Sequence, residues 1–82
     1  MTQDVIVPRL GSSDESDEVR VLRWLKIPGV HVKKGEALLE VETDKVNVEI
    51  EAPTDGVLKE IKALEGDIVK FSAVIAIIEE SG

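Results

Sequence analysis

Between Ala37 and Ala52 the chain alternates apolar and polar residues, and the alternation changes phase once. Ala37, Leu39 and Val41 are apolar at odd positions, with Glu40 between the last two and Glu42 after them. Val46, Val48, Ile50 and Ala52 are apolar at even positions, separated by Asn47, Glu49 and Glu51. A period of two puts alternate side chains on one face of a strand. A phase flip at Asp44-Lys45 is what a two-residue turn produces, so the segment predicts a β-hairpin with those two residues at its tip. In that register Val41 faces Val48, Leu39 faces Ile50 and Ala37 faces Ala52 on the buried side. Glu40 then faces Glu49, a like-charge pair that costs a little stability. Neither central residue is Gly or Asn, which favours a type I turn over the primed turns that demand positive φ. The hairpin displays Lys45, the one basic residue between Lys34 and Lys59, far from the core.

Short strand-like runs continue on both sides. Asp4 to Pro8 predicts a first strand, followed by the polar loop Gly11 to Glu18. Val19 to Ile27 predicts a second, stopped by Pro28-Gly29, and Val30 to Lys33 leads into the hairpin. Pro53-Thr54-Asp55-Gly56 is a strong turn signal. Val57 to Leu64, Ile68 to Phe71 and Ala73 to Ile78 complete the set. Many short strands with no helical periodicity predict an all-β sandwich or flattened barrel.

An internal repeat sharpens this picture. A shift of 37 residues brings Gly29 onto Gly66, Val32 onto Val69, Lys33 onto Lys70 and Glu42 onto Glu79. Trp24 falls on Ile61, Leu38 on Ile75 and Val41 on Ile78, all apolar. Two copies are too few for a solenoid, but two halves facing each other would bury a common core. The equivalent of the Lys45 turn falls among Glu80, Ser81 and Gly82, so only one tip carries a lysine.

Eighty-two residues make one domain, spanning 1–82, near the lower limit at which a single core suffices. With no cysteine there are neither disulfides nor thiolate metal sites. Trp24 and Phe71 are the only aromatics, so the core must be Val, Ile and Leu, which suits strands. A net charge of −7 argues against nucleic acid and anionic membrane surfaces, and favours partners that present basic patches. No apolar run approaches membrane-spanning length. His31 is the sole histidine and no metal site can be built around it; no nucleophile motif occurs, and the carboxylates are too numerous to single out an acid–base pair. Trp24 alternates with apolar neighbours and is expected in or at the edge of the core. The residues single out no active site of the chain's own.

Glu42-Thr43-Asp44-Lys45-Val46 closely resembles the attachment motif of lipoyl domains, the carrier modules of 2-oxo acid dehydrogenase complexes. Val7-Pro8-Arg9-Leu10-Gly11-Ser12 is similar to that family's first strand and loop, and Arg23-Trp24-Leu25-Lys26 to its second strand. Gly35-Glu36-Ala37-Leu38-Leu39-Glu40 and Asp55-Gly56-Val57-Leu58 match the segments either side of its hairpin. Gly35 and Gly56 flank Lys45 at ten and eleven residues, the family spacing. The resemblance implies two four-stranded antiparallel sheets with quasi-twofold symmetry, the modified lysine at one end and both termini at the other. It implies lipoic acid in amide linkage to Lys45, with Glu42, Thr43, Asp44 and Val46 read by partners. The loop acids Asp14, Glu15, Asp17 and Glu18 would lie near the same tip and contribute to partner choice.

The same resemblance implies a non-catalytic swinging arm belonging to a dihydrolipoyl acyltransferase. A lipoate ligase or a lipoyl/octanoyl transferase would load it. The arm would then take an acyl group from a thiamine-dependent 2-oxo acid decarboxylase and carry it as a thioester to the acyltransferase core and coenzyme A. Dihydrolipoyl dehydrogenase would reoxidise it. Asp-Lys-Val followed by Glu49 leans towards the 2-oxoglutarate complex, with the pyruvate complex close behind. Such a domain would be cytoplasmic in a bacterium and in the mitochondrial matrix of a eukaryote. Three departures from the family pattern are expected in turns away from Lys45: Glu18-Val19 for Glu-Gly, Gly29-Val30 for Gly-Asp, and Ser72 for a glycine before the last strand. Biotin carrier domains share the fold but frame their lysine with methionines, where this chain has Asp44 and Val46. The glycine-cleavage carrier has a related motif in a longer chain, and an unmodified all-β interaction module is the alternative from a different class.

Overall fold

The computed structural model describes residues 1–8, 18–43 and 46–80. These form eight strands: β1 (Thr2–Ile6), β2 (Glu18–Trp24), β3 (His31–Val32), β4 (Ala37–Glu42), β5 (Asn47–Glu51), β6 (Gly56–Ile61), β7 (Ile68–Lys70) and β8 (Val74–Glu80). They build two antiparallel four-stranded sheets, ordered β1-β8-β6-β3 and β5-β4-β2-β7. The all-β, two-sheet prediction holds. Some limits differ. The first strand runs Thr2–Ile6 and not Asp4 to Pro8, because its partner β8 extends to Glu80 and offers Glu79 to Thr2. The second ends at Trp24, three residues before Ile27.

The two sheets repeat one another. The 37-residue shift carries β2, β3 and β4 onto β6, β7 and β8, and β1 occupies the place of β5. Even the irregularities match. A register shift interrupts β2–β4 between Val21 and Arg23 and β6–β8 between Leu58 and Glu60. Another interrupts β4–β5 between Ala37 and Leu39, and its counterpart lies in β1–β8 between the residues opposite Val74 and Ala76. An unpaired extra residue lets a strand break its alternation. Leu38 and Leu39 are therefore both buried, as are Ile75 and Ala76.

The core is wholly aliphatic, as expected: Val5, Val21, Val32, Leu38, Leu39, Val41, Leu58, Ile75 and Ile78 are among its fully enclosed members. No polar or charged side chain among the described residues is buried. Trp24 lies at the core edge, where its indole Nε1 donates to the Ala63 carbonyl at 2.7 Å and so satisfies the one polar atom of the ring.

Candidate functional site

The predicted hairpin forms in the predicted register over most of its length. Leu39 pairs with Ile50, Glu40 with Glu49, Val41 with Val48 and Glu42 with Asn47. At the base the expectation fails: Ala37 pairs with Glu51, not Ala52, because the bulge at Leu38 takes up one residue. Ala52 remains buried and its N–H donates to the Glu36 carbonyl at 2.8 Å. The like-charge pair Glu40–Glu49 is present, and Arg23 Nε lies 3.2 Å from Glu40 Oε1. Such an exposed pair contributes at most about 1 kcal/mol, enough to offset a cross-strand repulsion of similar size.

The chain leaves β4 at Thr43 and re-enters β5 after Val46. Three hydrogen bonds join these two residues. Thr43 N–H donates to the Val46 carbonyl at 2.9 Å, the Thr43 hydroxyl donates to the same carbonyl at 2.8 Å, and Val46 N–H donates to Thr43 Oγ1 at 3.1 Å. Asp44 and Lys45 lie outside the described residues, between these two anchors. Val46 is 60% exposed, so the β5 side of the tip carries an apolar side chain in solvent. Asn47, which sequence reasoning did not single out, forms the last rung opposite Glu42.

Asp14, Glu15 and Asp17 also lie outside the described residues. Glu18 opens β2 and pairs with Lys70 of β7, while Arg20 stands opposite Glu42. The chain thus enters β2 at the end of the sheet where the hairpin turns. Arg20 had no signal in the sequence, since nothing there fixes how β2 lies on β4. The other end holds Met1 and Glu80. Glu80 N–H donates to the Met1 carbonyl at 2.8 Å, and Thr54, in the turn below the hairpin base, donates its hydroxyl to Glu80 Oε2 at 3.3 Å.

Gly35 and Gly56 support the hairpin in different ways. Gly35 has φ +88° with open space around it, so conformation alone selects glycine there. A Cβ on Gly56 would strike the Glu79 carbonyl oxygen and lie 2.8 Å from Ile78 Cγ2, so close approach selects it. The repeat places Val19 at the position of Gly56. Gly56 pairs with Glu80, whereas pairing of β2 with β4 stops at Arg20–Glu42 and Val19 is buried opposite Val69. The departure at Glu18-Val19, expected in a turn away from Lys45, instead lies in β2, because Glu18 and Val19 pair with β7, and it breaks the symmetry beside the end of the hairpin. Glu36, next to Gly35, accepts from Lys33 N–H at 2.9 Å and from Lys26 Nζ at 3.0 Å. These bonds, the backbone one foremost, hold its carboxyl below the ordinary carboxylate range.

Residues 3–78 match the family model described as biotin-requiring enzyme, which spans biotinyl and lipoyl carriers. The solution structure of the lipoyl domain of the 2-oxoglutarate dehydrogenase complex from Azotobacter vinelandii is similar, with a TM-score of 0.74 at 33% identity. It covers 95% of this chain and 99% of that one. The chain belongs to the lipoyl-domain family. Among curated relatives, this lipoyl domain is 46% identical to part of the Bacillus subtilis dihydrolipoyllysine-residue succinyltransferase component of the 2-oxoglutarate dehydrogenase complex. That match covers 94% of the chain and 18% of the relative. It is 47% identical to part of the Corynebacterium glutamicum acetyltransferase component of the pyruvate dehydrogenase complex, over 99% of the chain and 12% of the relative. The domain thus spans less than a fifth of the length of these acyltransferase components.

Proposed function

We propose that Lys45 carries lipoic acid in amide linkage and that the domain is the non-catalytic swinging arm of a 2-oxo acid dehydrogenase acyltransferase. The observation that carries this reading is the Glu42-Thr43-Asp44-Lys45-Val46 motif, which starts at the last rung, Glu42–Asn47, of a hairpin whose register is fixed by four consecutive pairs. The residues fit the group. Attachment needs one amine in solvent, and the turn lies between Thr43 and the exposed Val46, past the last paired rung. When bound, the dithiolane supplies a disulfide that accepts an acyl group with ring opening and is restored by oxidation.

The protein's part is position and identity. Condensing the Lys45 amine with a carboxylate removes its positive charge and leaves Glu42 and Asp44 as an anionic rim. Such a rim acts on encounter with basic partner surfaces more than on final affinity. Tethering to a larger assembly raises the arm's local concentration to roughly millimolar at each site within reach. The relatives support a place in an acyltransferase component of such a complex, and the resemblance adds as partners a lipoate ligase or lipoyl/octanoyl transferase, a thiamine-dependent decarboxylase, the acyltransferase core and dihydrolipoyl dehydrogenase. The substrate is a 2-oxoglutarate- or pyruvate-derived acyl group, as in the two relatives named above.

Intact mass after incubation with lipoate, ATP and a ligase tests this directly. One lipoyl group is expected, located to Lys45 by tandem mass spectrometry, and none on Lys45→Arg, which should unfold at the wild-type urea concentration because an exposed turn residue buries little. Biotin in place of lipoate, or modification at Lys33 or Lys34, would overturn the reading. Reductive acylation with each candidate decarboxylase then decides the complex.

A further inference from the structure

We propose that Thr43 is the positioning residue for modification of Lys45: its hydroxyl closes the turn in place of a backbone carbonyl and so fixes how the lysine is presented. This rests on the reading of Lys45 as the attachment site.

Four other turns give the comparison. Ile27–Val30, Lys33–Glu36, Leu64–Asp67 and Lys70–Ala73 are each closed by the N–H of the fourth residue donating to the carbonyl of the first, at 3.3, 2.9, 2.9 and 3.1 Å. Their third residues are Gly29, Gly35, Gly66 and Ser72, with φ of 96°, 88°, 92° and 74°. A positive φ at that position is what a type II turn requires. In the turn Thr43 to Val46 the third residue is Lys45, whose Cβ makes that conformation costly. There the N–H of the fourth residue donates to Thr43 Oγ1 at 3.1 Å, and the hydroxyl itself donates to the Val46 carbonyl at 2.8 Å. A threonine oxygen can mimic a backbone carbonyl in this way. The hydroxyl both accepts and donates across the turn, which valine cannot do and serine can.

The molecule contains its own control. The repeat maps Thr43 onto Glu80 and, through the exchange of β1 for β5, Val46 onto Met1. Glu80 N–H donates to the Met1 carbonyl at 2.8 Å, the same backbone bond as Thr43 N–H to Val46 at 2.9 Å. The Glu80 carboxylate instead accepts from Thr54. Among the described residues, the hydroxyl latch is found at the Thr43–Val46 end and has no counterpart between Glu80 and Met1. Bonds that already join Thr43 to Val46 leave less freedom to lose when a ligase aligns the amine with an activated acyl group, and that saving appears in the rate of transfer.

The experiment compares unmodified wild type, Thr43→Val and Thr43→Ser as substrates of a lipoate ligase, with initial rates over a range of domain concentration. Hydrogen exchange of the Val46 amide is measured on the same samples. Thr43→Val should lose about tenfold in kcat/KM, equivalent to about 1.4 kcal/mol, with the loss in kcat because the body of the domain still docks. Its Val46 amide should exchange faster while the core amides stay protected. Thr43→Ser should recover to within about twofold of wild type, since both bonds to the hydroxyl are retained. Equal kcat/KM for wild type and Thr43→Val would overturn the proposal, as would a Ser variant as slow as the Val one. Wild type left unmodified at Lys45 would instead remove the attachment reading beneath it.

Discussion

Ser72→Gly should stabilise the domain, and the structure gives the size of the effect. Ser72 has φ +74° in the turn before β8, the only positive φ at a non-glycine among the described residues. Holding an L-residue there costs about 1–2 kcal/mol. Glycine removes that cost but gives the unfolded chain more freedom, which returns about 0.5–1 kcal/mol. The side chain is exposed and its removal opens no core cavity. The turn's backbone bonds, Ser72 N–H to the Val7 carbonyl at 2.9 Å and Ala73 N–H to the Lys70 carbonyl at 3.1 Å, are kept. The net gain is about 0.5–1 kcal/mol, which for a domain of this size raises Tm by roughly 4 °C. The symmetry-related position supplies the reverse experiment. Gly35 has φ +88° and its N–H donates to the Ala52 carbonyl at 2.9 Å, so Gly35→Ser should lose about what Ser72→Gly gains. Urea unfolding of the two single variants and the double swap measures both. A destabilised Ser72→Gly with an unchanged m-value would refute the strain assignment.

Two further outcomes follow from the supports of the hairpin. Gly56→Ala should destabilise by about 1–3 kcal/mol, because its methyl must displace the backbone of Glu79 rather than a mobile side chain; a urea midpoint within error of wild type would contradict the close approach. Glu36, whose carboxyl is held below its usual range by Lys33 N–H and then Lys26, contributes stability that is full above the unfolded-state value and is lost as pH falls through the lower folded-state value. The gap in urea midpoint between wild type and Glu36→Gln should therefore be present at neutral pH and close on acidification through that window; a constant gap would show that the charge is not involved.

The alternation from Ala37 to Ala52 carried the hairpin and its register, because a period of two with one phase flip admits a single pairing that buries Leu39, Val41, Val48 and Ile50 together. The 37-residue repeat likewise carried the two facing halves, since Gly29 and Gly66 mark equivalent turns that only glycine enters cheaply. What escaped the sequence depends on contacts between segments distant along the chain. The bulge at Leu38 is invisible in local alternation, because burying Leu38 beside Leu39 is favourable only once a second sheet covers both. Gly56 reads as a turn residue until β8 is laid against it. The equivalence of β1 with β5 lies outside the 37-residue shift and is decided by which strand closes the edge of each sheet. Thr43 sits in the motif as one more polar residue; its hydroxyl gains a role only when the paired strands bring the N–H and carbonyl of Val46 within its reach.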